Sequence, residues 1–440
     1  MKAIVKNIVK KTIGMLLSVK YNLSIKFNSP IKGQYGSLRF ISDYSLKQFK
    51  KIKKYNDEKN VSVNKMKEKI KFGFVVYTSS MWNVDELYHL LNDNERFDVD
   101  IIVVHIDVEN KESVNKEYTK TIQYFRNLKY NVIEARNIDN INEYDALFYL
   151  TPSPLNEQII NLINLPMSII VLHTSYSYML AGNMLKLDVG MYHWSLRFYT
   201  DSDYYNGLIR QNEKYTGNAR YLGFPKMDQY YVSEKRQLSA KKVIIYAPHH
   251  SVNYKNFKSA TFEENYQAIL KIAKKYSKNT YWIYKPHPLL RGNSVLAGLF
   301  KTVEDYDAYE NEWQCLDNAE VVNEGDYFSI FKGSDAMITD SVSFLAEYQF
   351  THKPLLLLES GKEKYNEFGE QILSILYRCP GEDIDTIDAF VNDTICEKDE
   401  MYSIRKDFFD KNLSYMKDGV TANRKIYDDI KQLLTSEAAV

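Results

Sequence analysis

The feature that most constrains the fold of this chain is an alternation of short apolar runs with helical stretches. Continuous apolar runs of strand length, separated by helices, indicate a parallel sheet that is covered on both faces. The alternation begins at Phe72–Tyr77, meets a polar joint at Tyr231–Lys241 and starts again at Val243–Ala247. We therefore predict an α/β protein in which two Rossmann-like domains face each other across a cleft.

The domain boundaries follow from the length and from the two starts of this pattern. A chain of 440 residues suits two domains with attachments. We predict a basic N-terminal helical extension and connector at 1–71, an N-terminal Rossmann-like domain at 72–235, and a C-terminal Rossmann-like domain at 236–440 with a helical tail. Open α/β sheets bind ligands at the carboxyl ends of their strands, so a ligand is expected there.

Charge and cysteine content exclude several classes of protein. With 57 basic and 57 acidic residues the net charge is zero, so general attraction to nucleic acid is not expected. Cys315, Cys379 and Cys396 are far apart, which argues against a zinc site or a disulfide framework and fits a reducing cytoplasm. The sequence has no P-loop and no HExxH motif, and Asp201-Ser202-Asp203 is better explained as a helix start. We therefore predict no metal and no other cofactor.

The N-terminal segment is basic. No Asp or Glu occurs from Met1 to Ser42, and apolar residues fall at helical spacing among the lysines. Such a helix can lie on an anionic membrane through residues 1–30, or it can pack on the protein with a solvated basic face. No run approaches the roughly 20 apolar residues that a membrane-spanning helix needs. We therefore predict a cytoplasmic location. Peripheral contact with the inner face of the cell membrane is one alternative within that prediction.

The stretch from Ser334 to Phe344 carries the strongest local pattern. A short apolar strand ends just before Asp340, and Ser341 and Ser343 stand where the next helix must begin. These side chains can cap the helix, or they can hold a phosphate at the helix N-terminus together with free N–H groups. The sequence leaves both interpretations open.

Histidines follow several predicted strands. Prolines on both sides of His287 fix its backbone and direct the imidazole away from the sheet, which favours ligand contact, and Lys285 and Arg291 could neutralise a diphosphate nearby. His173 could deprotonate an acceptor hydroxyl, since its free pKa is near neutrality, or it could be hydrogen-bonded at a strand end. His249-His250 should face the same edge as His287, but adjacent side chains point to different sides, so a metal pair is not expected.

Together these elements resemble the CDP-glycerol glycerophosphotransferase family, the enzymes that build or prime teichoic-acid-like polymers. The resemblance extends from about His173 to Leu358, with the family's elements in the same order and at similar spacing. The matching elements are His173 at a strand end, Gly223-Phe224-Pro225-Lys226-Met227-Asp228, Tyr246-Ala247-Pro248, Lys285-Pro286-His287-Pro288, Ser334-Asp335, Ile338-Thr339-Asp340-Ser341-Val342-Ser343, Glu347-Tyr348 and Lys353-Pro354.

The sequence also departs from the family pattern. Lys226 and Lys285 stand where arginine is usual, and lysine binds a phosphate only as a point charge. Ser341-Val342 occupies the places of Tyr and Ser, and Glu347 replaces an Asp. His249-His250 replaces the segment that usually follows the Tyr-Ala-Pro strand. These departures affect the identity of the donor and acceptor more than the fold.

The resemblance implies the GT-B fold, with an acceptor domain at 72–235 and a nucleotide-donor domain at 236–440. It also implies a transferase in which an acceptor hydroxyl attacks the phosphorus next to glycerol and CMP leaves. His287 would hold the donor diphosphate together with Ser343, Glu347 would contact the nucleotide, and His173 would be the acceptor-side base. The residues assigned to donor or phosphate binding are Lys226, His249, Lys285, Arg291, Asp340, Ser341, Ser343 and Glu347. The implied partners are a nucleotide-activated donor and a polymer or lipid-linked acceptor.

Three other functions fit a chain of this kind. A GT-B glycosyltransferase would use a nucleotide sugar in capsule or lipopolysaccharide synthesis, because a fold does not fix a function. A non-hydrolysing nucleotide-sugar epimerase shares the geometry but needs neither an acceptor nor a membrane. A structural or binding protein would leave four groups of residues at strand ends without a purpose.

Overall fold

The computed structural model describes residues 67–105, 111–150, 165–166, 168–180, 195–211, 217–253, 260–323 and 327–435. The predicted N-terminal amphipathic helix lies outside these residues. Within the described ranges, none of the helices has both the length and the apolar character that crossing a membrane requires.

The chain divides into two compact units. The first contains the described residues up to Tyr176, those from 195 to Lys226, and those from Asp418 onward. The second contains the described residues from Ser177 to 180 and those from Met227 to Lys417. Each unit is built on one parallel β-sheet, as the alternating pattern predicts.

The sheet of the first unit has seven strands in the order β3-β2-β1-β4-β5-β6-β7. Its strands are β1 (Ile70–Val76), β2 (Phe97–Val103), β3 (Val132–Glu134), β4 (Ala146–Tyr149), β5 (Ile170–Thr174), β6 (Arg197–Tyr199) and β7 (Ala219–Arg220), and its helices before the second unit are α1 (Asp85–Asn92), α2 (Lys111–Asn127), α3 (Asp203–Gln211) and α4 (Pro225–Val232), the last of which continues into the second unit. Strand side chains alternate between faces. Phe72 and Phe74 of β1 therefore pack into one core, and Val75 packs into another.

The sheet of the second unit has six strands in the order β10-β9-β8-β11-β12-β13. Its strands are β8 (Lys242–Ala247), β9 (Thr280–Tyr284), β10 (Ala319–Val321), β11 (Ala336–Thr339), β12 (Leu355–Glu359) and β13 (Tyr377–Pro380), and its helices are α5 (Phe262–Lys275), α6 (Leu290–Leu296), α7 (Val303–Gln314), α8 (Tyr327–Gly333), α9 (Val342–Glu347), α10 (Glu367–Leu373), α11 (Ile384–Ile395) and α12 (Tyr402–Asn412). Because β8 lies between β9 and β11 and all three are parallel, the segments that follow these strands meet at one edge of the sheet.

The last helix, α13 (Ala422–Leu434), belongs to the first unit. Its buried face, which includes Ile426 and Ile430, joins the core that contains Leu87 and Leu91 of α1. The side chain of Asp429 also accepts hydrogen bonds from the first sheet. The sequence predicted a helical tail within the domain 236–440. The tail is helical, but its last helix packs elsewhere because its apolar stripe completes the core of the first unit.

Candidate functional site

Three histidine rings meet at the edge where β8 and β9 end. The centroid of the His250 ring is 4.2 Å from that of His249 and 4.1 Å from that of His287, while the outer two are 5.6 Å apart. The strands that precede these residues are fully or almost fully buried, so the register of the sheet fixes where each loop starts. The sequence prediction that these histidines would face the same edge is therefore correct.

The backbone around His287 determines the protonation of its ring. The N–H of Leu289 donates to His287 Nδ1 at 3.1 Å, and the N–H of His287 donates to the carbonyl of Pro248 at 3.1 Å. A nitrogen that accepts a hydrogen bond carries no proton, so the neutral ring carries its proton on Nε2. In this state His287 is a hydrogen-bond donor at Nε2 and not a base.

The loop after β8 is held by hydrogen bonds on two sides. Asn293 on α6 donates from its amide to the carbonyl oxygen of His250 at 2.9 Å and faces the ring nitrogen Nδ1 of the same residue at 3.1 Å. The ring of His249 contacts the hydroxyl of Ser251 at 3.0 Å, and that hydroxyl accepts the N–H of Ala260 at 3.1 Å. The positions of the imidazoles are thus fixed before any ligand arrives.

Asp340 connects β11 to this loop and to the start of α5. Its carboxylate accepts the N–H of His249 at 2.5 Å, and the N–H and hydroxyl of Thr261 at 2.6 and 3.1 Å. Burial raises the pKa of Asp340 to about 7, while these three donors act in the opposite direction. Both carboxylate oxygens are therefore engaged with protein groups that hold the loops in place.

Burial disfavours the charged form of the three histidine rings. It is the largest cause that lowers the pKa of His249 and of His287 to about 3, the neighbouring imidazoles are further causes, and burial also lowers the pKa of His250. Burial also lowers the pKa of Lys285. The ammonium of Lys285 lies 5.8 Å from the centre of the Tyr327 ring, and no carboxylate of the described residues forms an ion pair with it. An edge with several N–H donors and one ammonium suits an anionic ligand.

The helix after β11 is short and begins at Val342, with Ser341 as its N-cap. The side chain of Ser341 makes no capping hydrogen bond, so capping does not explain that residue. Ser343 is half-buried in the first turn. Glu347 is fully buried at the end of the helix, and its carboxylate accepts the hydroxyl hydrogen of Tyr327 at 2.8 Å.

Arg291 of α6 forms an ion pair with Asp307 of α7. Its guanidinium forms two hydrogen bonds to Asp307, with Nε–Oδ1 and Nη2–Oδ2 distances of 2.6 and 2.7 Å. This pairing connects α6 to α7. The predicted contact of Arg291 with a diphosphate stays a prediction.

Two predicted residues lie in the first unit. His173 is the next-to-last residue of β5, is only 1% exposed, and its ring stacks on that of Phe198 at 4.8 Å between centroids. Lys226 lies in the first turn of α4, directly after the turn at Gly223 where φ is +100°. The predicted roles of His173 as a base and of Lys226 in phosphate binding stay predictions.

Sequence reasoning missed Asn293 and Thr261. Asn and Thr near a helix start are ordinarily explained as caps, so neither stood out from its neighbours. The only signal in the sequence was their position beside segments that follow predicted strands. No group of three or more histidine, cysteine or acidic side chains that could hold a metal ion occurs within the described ranges.

Comparison with known structures identifies the fold. The wall teichoic acid polymerase TagF, as a variant, is 14% identical with a TM-score of 0.53, and the match covers 90% of this chain and 96% of that one. A putative UDP-N-acetylglucosamine 2-epimerase from Listeria monocytogenes is 13% identical with a TM-score of 0.54, covering 84% and 98%. At this identity the likeness shows the fold alone, and it confirms the predicted GT-B class with two Rossmann-like units.

Comparison with protein families goes further. No curated protein matches this sequence. The sequence profile of the CDP-glycerol:poly(glycerophosphate) glycerophosphotransferases matches residues 183–432, which is more than half of the chain and contains the histidine rings, Lys285 and Asp340. The resemblance seen in the sequence is thereby confirmed, and this chain belongs to the CDP-glycerol:poly(glycerophosphate) glycerophosphotransferase family.

Proposed function

We propose that this chain transfers glycerol phosphate from CDP-glycerol to a hydroxyl group of a cell-surface polymer or lipid-linked acceptor and releases CMP. Family membership supports the donor and the reaction. The observation that carries the proposal in this chain is the edge of the second sheet, where preorganised imidazole N–H donors and the ammonium of Lys285 suit a diphosphate.

The reaction displaces one phosphate from another. The oxygen of the acceptor hydroxyl attacks the phosphorus that carries glycerol, and the bond between that phosphorus and the bridging oxygen breaks. The bridging oxygen leaves with CMP and takes the electron pair, while the hydroxyl proton passes to a base. Negative charge therefore develops on the leaving phosphate, and groups that stabilise it accelerate the step.

His287 and Lys285 are suited to the leaving-group side of this reaction. His287 donates from Nε2, because Leu289 occupies Nδ1. Lys285 supplies positive charge from a half-buried position, where electrostatic interactions are stronger than in water. Ser341 and Ser343 add hydroxyl groups at the start of α9. The contact of Glu347 with the nucleotide and the roles of Lys226 and His249 in donor binding stay predictions.

The identity of the released nucleotide tests this proposal. Purified protein is incubated with CDP-glycerol, CDP-ribitol, UDP-sugars and CMP-sugars, each with a membrane extract as acceptor, and released nucleotides are measured by mass spectrometry. We expect CMP from CDP-glycerol, with heat-inactivated protein as control. Release of UDP from a UDP-sugar, without CMP from either CDP-alditol, would instead indicate the glycosyltransferase alternative.

We also propose peripheral membrane contact through residues 1–30. The charge pattern alone supports this proposal: no acidic residue occurs before Asp43. Each basic residue near an anionic surface contributes about 1 kcal/mol, so several together give stable attachment. We expect the full chain to float with liposomes that contain anionic lipid and to stay behind with neutral liposomes. A chain without residues 1–32 should stay in the soluble fraction with both, and equal partition of the two proteins would contradict this proposal.

A further inference from the structure

His250 occupies the central position among the three imidazoles. Its ring lies about 4 Å from both other rings, whereas those two are 5.6 Å apart and touch each other less closely. The planes of His250 and His287 are tilted by 44°. Removing the His250 ring would therefore expose one side of the His287 ring to water.

Asn293 fixes the position of His250. The carbonyl oxygen of His250 can only accept, so the group 2.9 Å from it must be the NH₂ of the Asn293 side chain. The second hydrogen of the same NH₂ is then available to His250 Nδ1 at 3.1 Å. The Asn293 amide thus contacts both the backbone and the ring of His250.

His250 and His287 are held by two different donors. The donor for His287 is the backbone N–H of Leu289, and that for the backbone of His250 is the Asn293 amide. A second proton on the His287 ring would have to replace the hydrogen bond from Leu289. Each ring also keeps water from the other, which adds to the cost of charging it.

We propose that His250, held by Asn293, is a positioning residue that keeps water from the His287 ring and holds it oriented as an Nε2–H donor toward a phosphate oxygen. The nature of the ligand rests on the proposed function, but the state of the His287 ring does not. This assignment is particular to this chain, because His249-His250 stands in place of the segment that usually follows the Tyr-Ala-Pro strand in the family.

The surroundings of His287 explain why one neighbour has this effect. The pKa of His287 is lowered to about 3. Burial is the largest cause, and the charges on His250 and Lys285 are the next two. Among the described residues, His249 lies on the same loop as His250, and Asp340 reaches this loop through the N–H of His249. On α6, Arg291 is paired with Asp307, so this helix contributes the neutral Asn293 amide.

Titration of the His287 ring tests the proposal directly. The full chain, labelled with ¹³C in its histidine rings, is titrated by NMR without any ligand, and His287→Gln identifies the signal. In His250→Ala we expect the pKa of His287 to rise by at least one unit toward its ordinary value of about 6.5, since water reaches the ring. In His250→Phe, which keeps a ring in place, we expect the pKa to stay near that of the unmodified protein. An unchanged pKa in His250→Ala would overturn the proposal.

Kinetics provide a second readout with a matched control. Asn293→Ala removes the amide from α6, and Leu296→Ala changes an exposed residue of the same helix (77% exposed). We expect Asn293→Ala to lower kcat about 10- to 100-fold with little change in KM, because a misplaced donor weakens the transition state more than binding. Leu296→Ala should match the unmodified protein.

The two readouts separate the possible failures. His250→Phe could lose as much activity as His250→Ala while the pKa of His287 in His250→Phe stays that of the unmodified protein. This result would mean that His250 contacts the substrate itself, and the positioning role would be wrong. If CDP-glycerol is not the donor, the kinetic arm fails while the NMR titration still gives its result. If His250→Ala does not fold, Asn293→Ala takes its place in the titration, with a rise in the pKa of His287 expected and an unchanged pKa overturning the proposal.

Discussion

Replacing His287 with alanine is expected to lower the turnover of glycerophosphate transfer by about 100- to 1,000-fold, the usual effect of removing one preorganised donor from a developing negative charge. The side chain donates a hydrogen bond from Nε2, and this bond stabilises the reaction most when negative charge develops on the leaving phosphate. The loss should therefore appear mainly in kcat, with a smaller rise in KM. Release of CMP from CDP-glycerol under saturating donor measures it.

The matched control is His89→Ala. This histidine lies on α1 in the first unit and its side chain is 55% exposed. Its replacement should leave both the rate and the circular dichroism spectrum unchanged. His287→Ala should also keep the spectrum, because the ring contributes to the edge of the sheet and not to its core. A rate within threefold of the unmodified protein would remove His287 from the mechanism.

The same assay tests the prediction that His173 is the acceptor-side base. His173→Gln keeps a polar side chain of similar length in β5 and is preferable to alanine, which would leave a cavity beside Phe198. A base contributes about 100- to 10,000-fold, so turnover should fall by orders of magnitude with donor binding retained. A normal rate with a lowered unfolding temperature would show that His173 has a structural role in the sheet.

Much of the fold could be predicted because the central strands are buried on both faces. The apolar run at Val243–Ala247 differs from β8 by one residue, and the segment that carries His249 and His250 follows this strand directly. The short edge strands β3 and β13 could not be recognised. The sequence of β13, Tyr-Arg-Cys-Pro, is half exposed and lacks the apolar run that marks a buried strand.

Other parts of the site depend on partners that are distant in sequence. The direction of Arg291 was decided by Asp307 on the next helix, and the role of Asp340 by Thr261 and by the backbone of His249. None of these pairs has a characteristic spacing. A carboxylate that follows a strand in a phosphate-binding motif suggests ligand contact, whereas here its oxygens satisfy buried donors. Patterns along the chain thus predict which segments meet at this edge of the sheet, whereas the contacts of each side chain depend on how the helices pack on the sheet.

Asp340→Ala is expected to destabilise the edge of the second sheet by about 3 kcal/mol or more, since three donors lose their acceptor and each unsatisfied buried donor costs about 1–3 kcal/mol. Two of these donors belong to Thr261, which is fully buried at the start of α5, and the third is the N–H of His249. The loop that positions the imidazoles would lose its anchor, so activity should fall with stability.

Asp335, at the start of the β8–β11 strand pair, provides a control for this prediction. The carboxylate of Asp335 accepts the N–H of Val243 at 2.8 Å, but it is 38% exposed and has one such bond. Asp335→Ala should cost about 1 kcal/mol or less and leave turnover unchanged. Asp340→Asn keeps one good acceptor and should fall between the two alanine variants.

Native-state hydrogen exchange, followed by mass spectrometry of peptides from β8 and β11, measures these differences within the second unit. Exchange should be measured at pH 8, where Asp340 is mostly ionised because its pKa lies near 7. In Asp340→Ala we expect faster exchange in both strands and at the start of α5, with the first unit unchanged. Equal protection in Asp340→Ala and Asp335→Ala would mean that the three hydrogen bonds add nothing to stability. If turnover then still fell in Asp340→Ala alone, the carboxylate would have to act on the substrate, as the sequence pattern first suggested.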